Sequence, residues 1–124
     1  MSFAVAQYQA SRIETSSPVQ IVVTLYDGAL RFLRTGIDAL QVGDIAGKGI
    51  ALTKAHAIIT ELLVTLNHEA APEISGQLEA IYSFVLDRIL RANAECDEKL
   101  IDEAIRALLP LRDAWAQLAR TGHP

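Results

Sequence analysis

Apolar residues recur at steps of three and four along four stretches of the chain, the spacing expected of α-helices with one buried face. No stretch shows the alternation with period two that is typical of β-strands. The predicted helices are 18–42, 45–68, 73–96 and 98–120. Their apolar seams are Val22, Tyr26, Ala29, Leu33, Ile37 and Leu40; Leu52, Ala55, Ile59, Leu62 and Leu66; Ile74, Leu78, Ile81, Val85, Ile89, Ala92 and Cys96; and Ile101, Ala104, Leu108, Leu111, Trp115 and Leu118.

Short polar joints separate these helices. Ser17, followed by a proline and then by Gln20, predicts a capped first helix with a capping box. The joint at 43–49 is rich in glycine, the joint at 67–73 contains a proline, and Asp97 is a predicted N-cap for the last helix. Short connections favour antiparallel neighbours, so the sequence predicts an all-α, antiparallel up-down four-helix bundle.

Two residues conflict locally with the helical pattern. Asp27-Gly28 would mark a hairpin turn between strands, but the apolar seam continues through it, so we interpret Gly28 as a place where another helix approaches closely. Pro110 removes the hydrogen bond to the carbonyl of Arg106, and it predicts a kink or a break in the fourth helix.

The first helix has less polar surface than a surface helix normally shows. Its polar residues form one narrow stripe: Gln20, Thr24, Asp27, Arg31, Arg34, Asp38 and Gln41. Two interpretations are open. Either this helix is the most buried member of the bundle, or part of its apolar surface receives a helix from another protein. In the second case the N-terminal cap segment 1–16, which is mildly apolar over residues 2–11, would lie over that groove while no partner is bound. Smaller apolar excesses flank the next two seams, at Ile58, Leu63, Val64, Tyr82, Leu86 and Leu90.

Composition and charge narrow the class of protein. With 124 residues, 51% of them hydrophobic and 21% charged, the chain is predicted to be one globular domain, 1–124. The net charge of −4 and the scattered basic residues argue against nucleic-acid binding. Cys96 is the single cysteine; it fits a reducing compartment and is predicted to be a core thiol. No signal peptide or membrane-spanning stretch is visible, so we expect a cytoplasmic protein without membrane insertion.

Catalytic and metal-binding patterns are missing from the sequence. None of His56, His68 and His123 has the spacing of a zinc-protease or di-iron helix. The glycines of 43–49 do not have the spacing of a phosphate-binding loop. Adjacent residues on a helix point about 100° apart, so Tyr26 and its neighbour do not form an acid–base pair. We therefore expect no enzyme activity, no metal and no cofactor.

Short motifs follow one another in a defined order from residue 8 to residue 118. They are Tyr8-Gln9, Ser17-Pro18, Leu25-Tyr26-Asp27-Gly28, Leu30-Arg31-Phe32-Leu33, Gly43-Asp44, Lys54 to Leu62, Thr65-Leu66-Asn67, Glu73-Ile74, Ile81-Tyr82, Arg88-Ile89-Leu90, Ala92-Asn93, Asp97 and Leu111 to Trp115. Together they resemble the flagellar secretion chaperone family, FliS. The sequence departs from the family pattern at Gln20 and Thr24, where members often carry an acidic residue and a methionine, and at Pro110.

The resemblance implies a cytosolic export chaperone built as an antiparallel helical bundle. Such a protein binds the disordered C-terminal region of flagellin, prevents premature polymerisation and assists delivery to the export gate protein FlhA. The partner-binding residues that we predict on this basis are Tyr8, Ile21, Leu25, Tyr26, Leu30 and Phe32. Trp115 is predicted to be core rather than a partner contact.

The alternative is an all-α homodimerisation or scaffold domain without a client. Its extra apolar faces would pair with a second copy of the chain, and the joints at 43–49 or around Pro72 would serve as hinges if helices were exchanged. The two hypotheses differ in one observable: a client chaperone should bind flagellin one-to-one.

Overall fold

The structure is a computed structural model that describes residues 17–122 as four α-helices. These are α1 (Pro18–Gln41), α2 (Ile45–Val64), α3 (Pro72–Glu95) and α4 (Glu98–Thr121). No strand occurs in this range, so the predicted all-α four-helix class is confirmed. Helix α2 ends four residues before the predicted end at 68. The chain turns there because Asn67 accepts hydrogen bonds from the backbone N–H groups of Ala70 and Ala71.

The helices form a ring in which each packs against its two neighbours in chain order, and α4 closes the ring against α1. Neighbouring helices run in opposite directions. Along α1 and α4, Asp27 pairs with Arg112 whereas Gln41, at the other end of α1, pairs with Glu98. The arrangement is an up-down bundle with four outer seams, one between each pair of neighbours.

Side chains cap three of the four helices at their N-termini. Ser17, Asp44 and Asp97 each accept a hydrogen bond from a backbone N–H two or three residues further on, at 3.1, 2.9 and 2.9 Å. These bonds satisfy donors that the first turn of a helix leaves free. The predicted caps at Ser17 and Asp97 are therefore confirmed, and Asp44 adds a cap inside the glycine-rich joint.

Two glycines let α1 approach α2 closely. A Cβ atom added at Gly28 would lie 3.3 Å from Cδ1 of Ile58, and one added at Gly36 would lie 2.9 Å from Cδ2 of Leu52. The close approach predicted at Gly28 is confirmed. The tighter contact at Gly36 was not predicted, because the sequence pattern does not show which glycine faces a large side chain.

Helix α4 continues through Pro110 without a break. Pro110 and Arg106 are both exposed. Water can therefore satisfy the Arg106 carbonyl that the proline leaves without its helical donor. The predicted break does not occur.

Residues from all four helices fill the core. Its largest fully buried side chains are Tyr26, Leu33, Leu52, Ile59, Tyr82, Val85, Ile89, Ile101 and Leu108. Tyr82 was predicted to lie beside the core stripe of α3 and is instead central to it. The buried stripe of α3 runs through Ser75, Tyr82, Val85, Ile89 and Ala92, so this face is rotated relative to the predicted seam.

Both ends of the predicted α3 seam are wrong. Ile74 is 60% exposed, because the rotation of the buried face places Ser75 inward in its stead. Cys96 is exposed rather than a core thiol. It follows the last residue of α3 in a left-handed conformation (φ 51°) that turns the chain toward α4. A left-handed residue after a helix redirects the chain, so Cys96 leaves the apolar face of α3.

A pair of tyrosines joins α1 and α3 across the middle of the bundle. The hydroxyl oxygens of Tyr26 and Tyr82 lie 2.6 Å apart and form a buried hydrogen bond. Burial raises the pKa of both hydroxyls, because a phenolate would lose its hydration in the core. The pair gives the apolar core one polar contact that requires a particular alignment of α1 and α3.

The raised pKa values predict a loss of stability at high pH. In the unfolded chain both phenols ionise near pH 10, whereas in the fold they stay neutral to higher pH. A group with a higher pKa in the fold contributes its full stability below the unfolded pKa and loses it as pH rises. We expect the free energy of unfolding to fall by about 1–3 kcal/mol between pH 9 and pH 11 through these two groups. Urea unfolding at a series of pH values measures this change.

The control is the double variant Tyr26→Phe/Tyr82→Phe, which keeps both rings and removes both ionisable groups. Other groups titrate in the same pH range, so the fall in the free energy of unfolding must be compared between wild type and the double variant. Equal falls in stability for wild type and double variant would contradict the prediction.

Candidate partner-binding surface

The polar stripe predicted for α1 is present, since all seven of its residues are exposed. The rest of the helix is largely covered: α1 has eight buried residues, against six, five and six in α2, α3 and α4. Of the two open interpretations, the structure favours α1 as the most buried helix. The large apolar side chains that remain exposed lie mainly elsewhere: Val42, Ile45, Ile50, Val64, Ile74, Phe84 and Leu90.

The predicted partner-binding residues fall into three groups. Tyr8 lies outside the described residues. Tyr26 and Leu30 are 0% and 2% exposed, so both are core residues in this conformation. Ile21, Leu25 and Phe32 are only partly buried. Steps of four and seven place these three on one stripe of α1, and Gly28, between them on that stripe, contacts α2. They therefore lie along the α1/α2 seam.

An apolar groove runs between the first half of α2 and the last half of α3. It consists of a depression of about 550 Å³ and an adjoining one of about 140 Å³. We call it the α2/α3 groove; it is lined by Ile45, Ala46, Lys48, Gly49, Ile50, Leu52, Thr53, Lys54, His56, Ile89, Leu90 and Asn93. Ile45, Ile50 and Leu90 are all exposed here. Exposed apolar side chains gathered in a concave surface are typical of protein-binding sites.

A second apolar groove lies between α3 and α4, near the opposite end of α3. Its volume is about 270 Å³, and we call it the α3/α4 groove. The lining residues are Ile74, Gln77, Leu78, Ile81, Leu111, Ala114, Trp115 and Leu118. Trp115, predicted to be core, is partly buried: it packs against the core and also forms part of this groove. The predicted packing of Trp115 against the core is therefore confirmed, while part of its side chain lines the groove.

Polar contacts cross the fourth seam, between α4 and α1. Arg112 donates two hydrogen bonds to the carboxylate of Asp27, at 2.8 and 3.3 Å. At the other end, the Gln41 amide donates to Glu98 at 3.1 Å. An ion pair also crosses the α3/α4 seam, where Arg88 donates a hydrogen bond to Glu103 at 2.7 Å. The two apolar grooves and the partly buried apolar stripe of α1 lie along the other three seams.

Lys48 lies at the base of the α2/α3 groove and is 4% exposed. Its ammonium group donates a hydrogen bond to the Asn93 carbonyl at 2.8 Å and lies 3.5 Å from Sγ of Cys96. Carbonyls in the last turn of a helix lack helical donors, and a cation there interacts favourably with the helix dipole. Lys48 thus ties α2 to the end of α3. The sequence contained a signal for this: Lys48 lies four residues before Leu52 and continues the buried seam of α2 backwards.

The two histidines within residues 17–122 have ordinary partners. His68 lies 3.2 Å from the carboxylate of Glu79, and Thr60 donates a hydrogen bond to the backbone carbonyl of His56. Within residues 17–122, no group of three or more histidine, cysteine, aspartate or glutamate side chains is arranged to hold a metal ion. None of the four described helices combines the length and the hydropathy needed to cross a membrane.

A four-helix bundle with apolar grooves on consecutive outer seams belongs to the class of helical protein-binding modules. Comparison with known proteins specifies that class further. Residues 1–122 match the protein family described as "Flagellar protein FliS". The chain therefore belongs to the FliS family, a family of chaperones and not an enzyme class, and the resemblance noted in the sequence is confirmed.

Individual relatives agree with this assignment. The flagellar secretion chaperone FliS of Bacillus subtilis (strain 168) is 34% identical over 110 residues, which cover 89% of this chain and 81% of that protein. The FliS of Vibrio cholerae is 34% identical over 113 residues, covering 91% and 83%. The chaperone FliSB of Pseudomonas aeruginosa is 32% identical over 116 residues, covering 90% and 92%.

Proposed function

We propose that this protein is a cytoplasmic export chaperone that binds the C-terminal region of flagellin, prevents its premature polymerisation and assists its delivery to the export gate protein FlhA. The observation that carries the proposal is the series of apolar seams on three consecutive sides of the bundle. Membership of a family of flagellar secretion chaperones supports the flagellar client.

The positions of the seams favour a client that is extended rather than globular. Ile74 in the α3/α4 groove and Leu90 in the α2/α3 groove are separated by roughly 24 Å along α3, at the rise of an α-helix. The two grooves also face different sides of the bundle. A compact partner would contact one side, whereas an unfolded segment can follow several. Broad apolar contact offsets the entropy lost when such a segment becomes ordered.

Within this proposal, the α1/α2 seam supplies Ile21, Leu25 and Phe32, and Tyr8 remains a proposed contact. Tyr26 and Leu30 belong to the core of the client-free protein, so a direct contact from either would require α1 to separate from the bundle. We therefore assign the client to the partly buried α1 residues and to the two grooves.

Titration calorimetry with the C-terminal segment of the same organism's flagellin, together with light scattering, tests the proposal. We expect saturable one-to-one binding with a negative change in heat capacity, which accompanies burial of apolar surface. A stable dimer that does not bind flagellin would instead mean that the apolar seams pair with a second copy of the chain. That result would favour the scaffold alternative.

A further inference from the structure

Two cations lie against the ring of Phe32 on the α1/α2 seam. The guanidinium carbon of Arg31 is 5.3 Å from the ring centroid, and the ammonium nitrogen of Lys54 is 5.4 Å from it. Arg34 follows one turn later on the same exposed stripe of α1. We call Arg31, Arg34 and Lys54 the basic cluster. Its position is notable because the whole chain carries a net charge of −4.

The members of the basic cluster have no carboxylate partner among residues 17–122. Other arginines of the bundle do: Arg88, Arg91, Arg106 and Arg112 each lie within 4.0 Å of an aspartate or glutamate oxygen. Four arginines are therefore paired with carboxylates of the bundle, whereas the two cations beside Phe32 are not.

This arrangement is complementary to a carboxylate. Two cations beside one aromatic ring repel each other. A carboxylate placed between them attracts both and offsets that repulsion. The partly buried ring restricts the access of water and strengthens the interaction relative to open solvent. The apolar stripe of Ile21 and Leu25 leads directly to this point. The matching segment therefore carries apolar side chains followed by an acidic one.

We propose that the basic cluster anchors an acidic side chain of the flagellin C-terminal segment and so fixes the position of that segment along the α1/α2 seam. This inference rests on the proposed function and adds a specific electrostatic contact to it. A cluster of three cations falls short of the four to eight basic residues that commonly recognise anionic lipid, so a protein segment is the better match.

The test compares two double charge reversals in the full chain. Arg31→Glu/Lys54→Glu alters the basic cluster. Because Lys54 also lines the α2/α3 groove, the single variant Arg31→Glu is measured as well, since Arg31 does not line that groove. Lys99→Glu/Arg120→Glu makes the same change of net charge at two exposed positions of α4. The affinity for the flagellin C-terminal segment is measured by calorimetry at low and at moderate salt, and circular dichroism checks that each variant is folded.

We expect Arg31→Glu/Lys54→Glu to weaken binding about 10- to 30-fold at low salt, since it removes two attractions and introduces two repulsions. The α4 variant should stay within about twofold of wild type, because its two residues lie on α4, which does not form the α1/α2 seam, and they line neither groove. The variant Arg31→Lys/Lys54→Arg keeps both positive charges, and we expect it to bind the flagellin segment with an affinity close to that of wild type.

The other outcomes show whether the anchor alone is wrong or the proposed function as well. If wild type binds the flagellin segment and both charge reversals weaken it equally, the anchor is wrong while the proposed function stands. If wild type does not bind the segment, the proposed function fails and the anchor with it. Phosphatidylglycerol vesicles provide a separate arm. Suppose that wild type sediments with these vesicles and Arg31→Glu/Lys54→Glu does not, while both proteins bind flagellin equally well. This result would assign the cluster to a lipid surface and overturn the inference.

Discussion

Replacing Leu52 with alanine should lower the free energy of unfolding by about 2–5 kcal/mol, and adding Gly36→Ala to that variant should restore part of the loss. Leu52 is among the largest fully buried side chains, and its Cδ2 atom occupies the space beside Gly36. Truncation opens a cavity at the position where a Cβ atom on residue 36 would stand. The new methyl group fills part of that cavity, and alanine is favoured over glycine within a helix by about 1 kcal/mol.

In the wild-type background, Gly36→Ala should have a different effect. The added Cβ would lie 2.9 Å from Cδ2 of Leu52, so the leucine must move to a less favourable position. Overpacking of this kind costs about 1–3 kcal/mol, which offsets the gain in helix propensity. The two substitutions should therefore be strongly non-additive in urea unfolding followed by circular dichroism.

Gly76 provides a matched control for the glycine substitution. It also lies within a helix, but no atom outside its own backbone surroundings comes within 4 Å of an added Cβ. Gly76→Ala should stabilise the protein by up to about 1 kcal/mol in either background. If Gly36→Ala behaves in the same way as Gly76→Ala with Leu52 present, the close helix contact is wrong.

The sequence predicts the fold well because its signals are local. Caps such as Ser17 and Asp97 act within one turn of their own helix, and the seams depend only on spacing along a helix. The chain therefore specifies four helices and their joints before any tertiary contact is considered. The end of α2 was misplaced because the turn at Asn67 depends on hydrogen bonds that interrupt an otherwise favourable apolar pattern.

The partner-binding surface is harder to predict because it depends on how far each helix is rotated about its axis. A small rotation of α3 brings Tyr82 inward and exposes Ile74. Lys48 and the Tyr26–Tyr82 pair likewise depend on contacts between helices that are distant in sequence. An apolar excess on α1 is visible in the sequence, but most of that excess is buried against the other helices. The exposed apolar side chains consequently lie mostly on α2 and α3.

Changing two exposed residues of the α2/α3 groove should have the largest effect on client binding. We expect Ile50→Asp/Leu90→Asp to weaken binding of the flagellin C-terminal segment about 100-fold. The substitutions remove apolar contact and force two carboxylates to lose hydration in the complex, at about 1–2 kcal/mol for each position. Ile50 and Leu90 are 59% and 58% exposed, so neither is needed to fill the core. Stability in urea should change by no more than about 0.5 kcal/mol.

Val42→Asp/Val64→Asp is the control that separates the groove from general surface hydrophobicity. Both valines are even more exposed, at 80% and 68%, and neither lines the α2/α3 or the α3/α4 groove. This variant has the same change in charge and a similar loss of exposed apolar surface, so its affinity should remain within a few fold of wild type. Equal losses in the two variants would mean that the client responds to overall charge rather than to this groove. A selective loss at Ile50 and Leu90 would establish that the flagellin segment passes between α2 and α3, because one residue lines the α2 side of this groove and the other its α3 side.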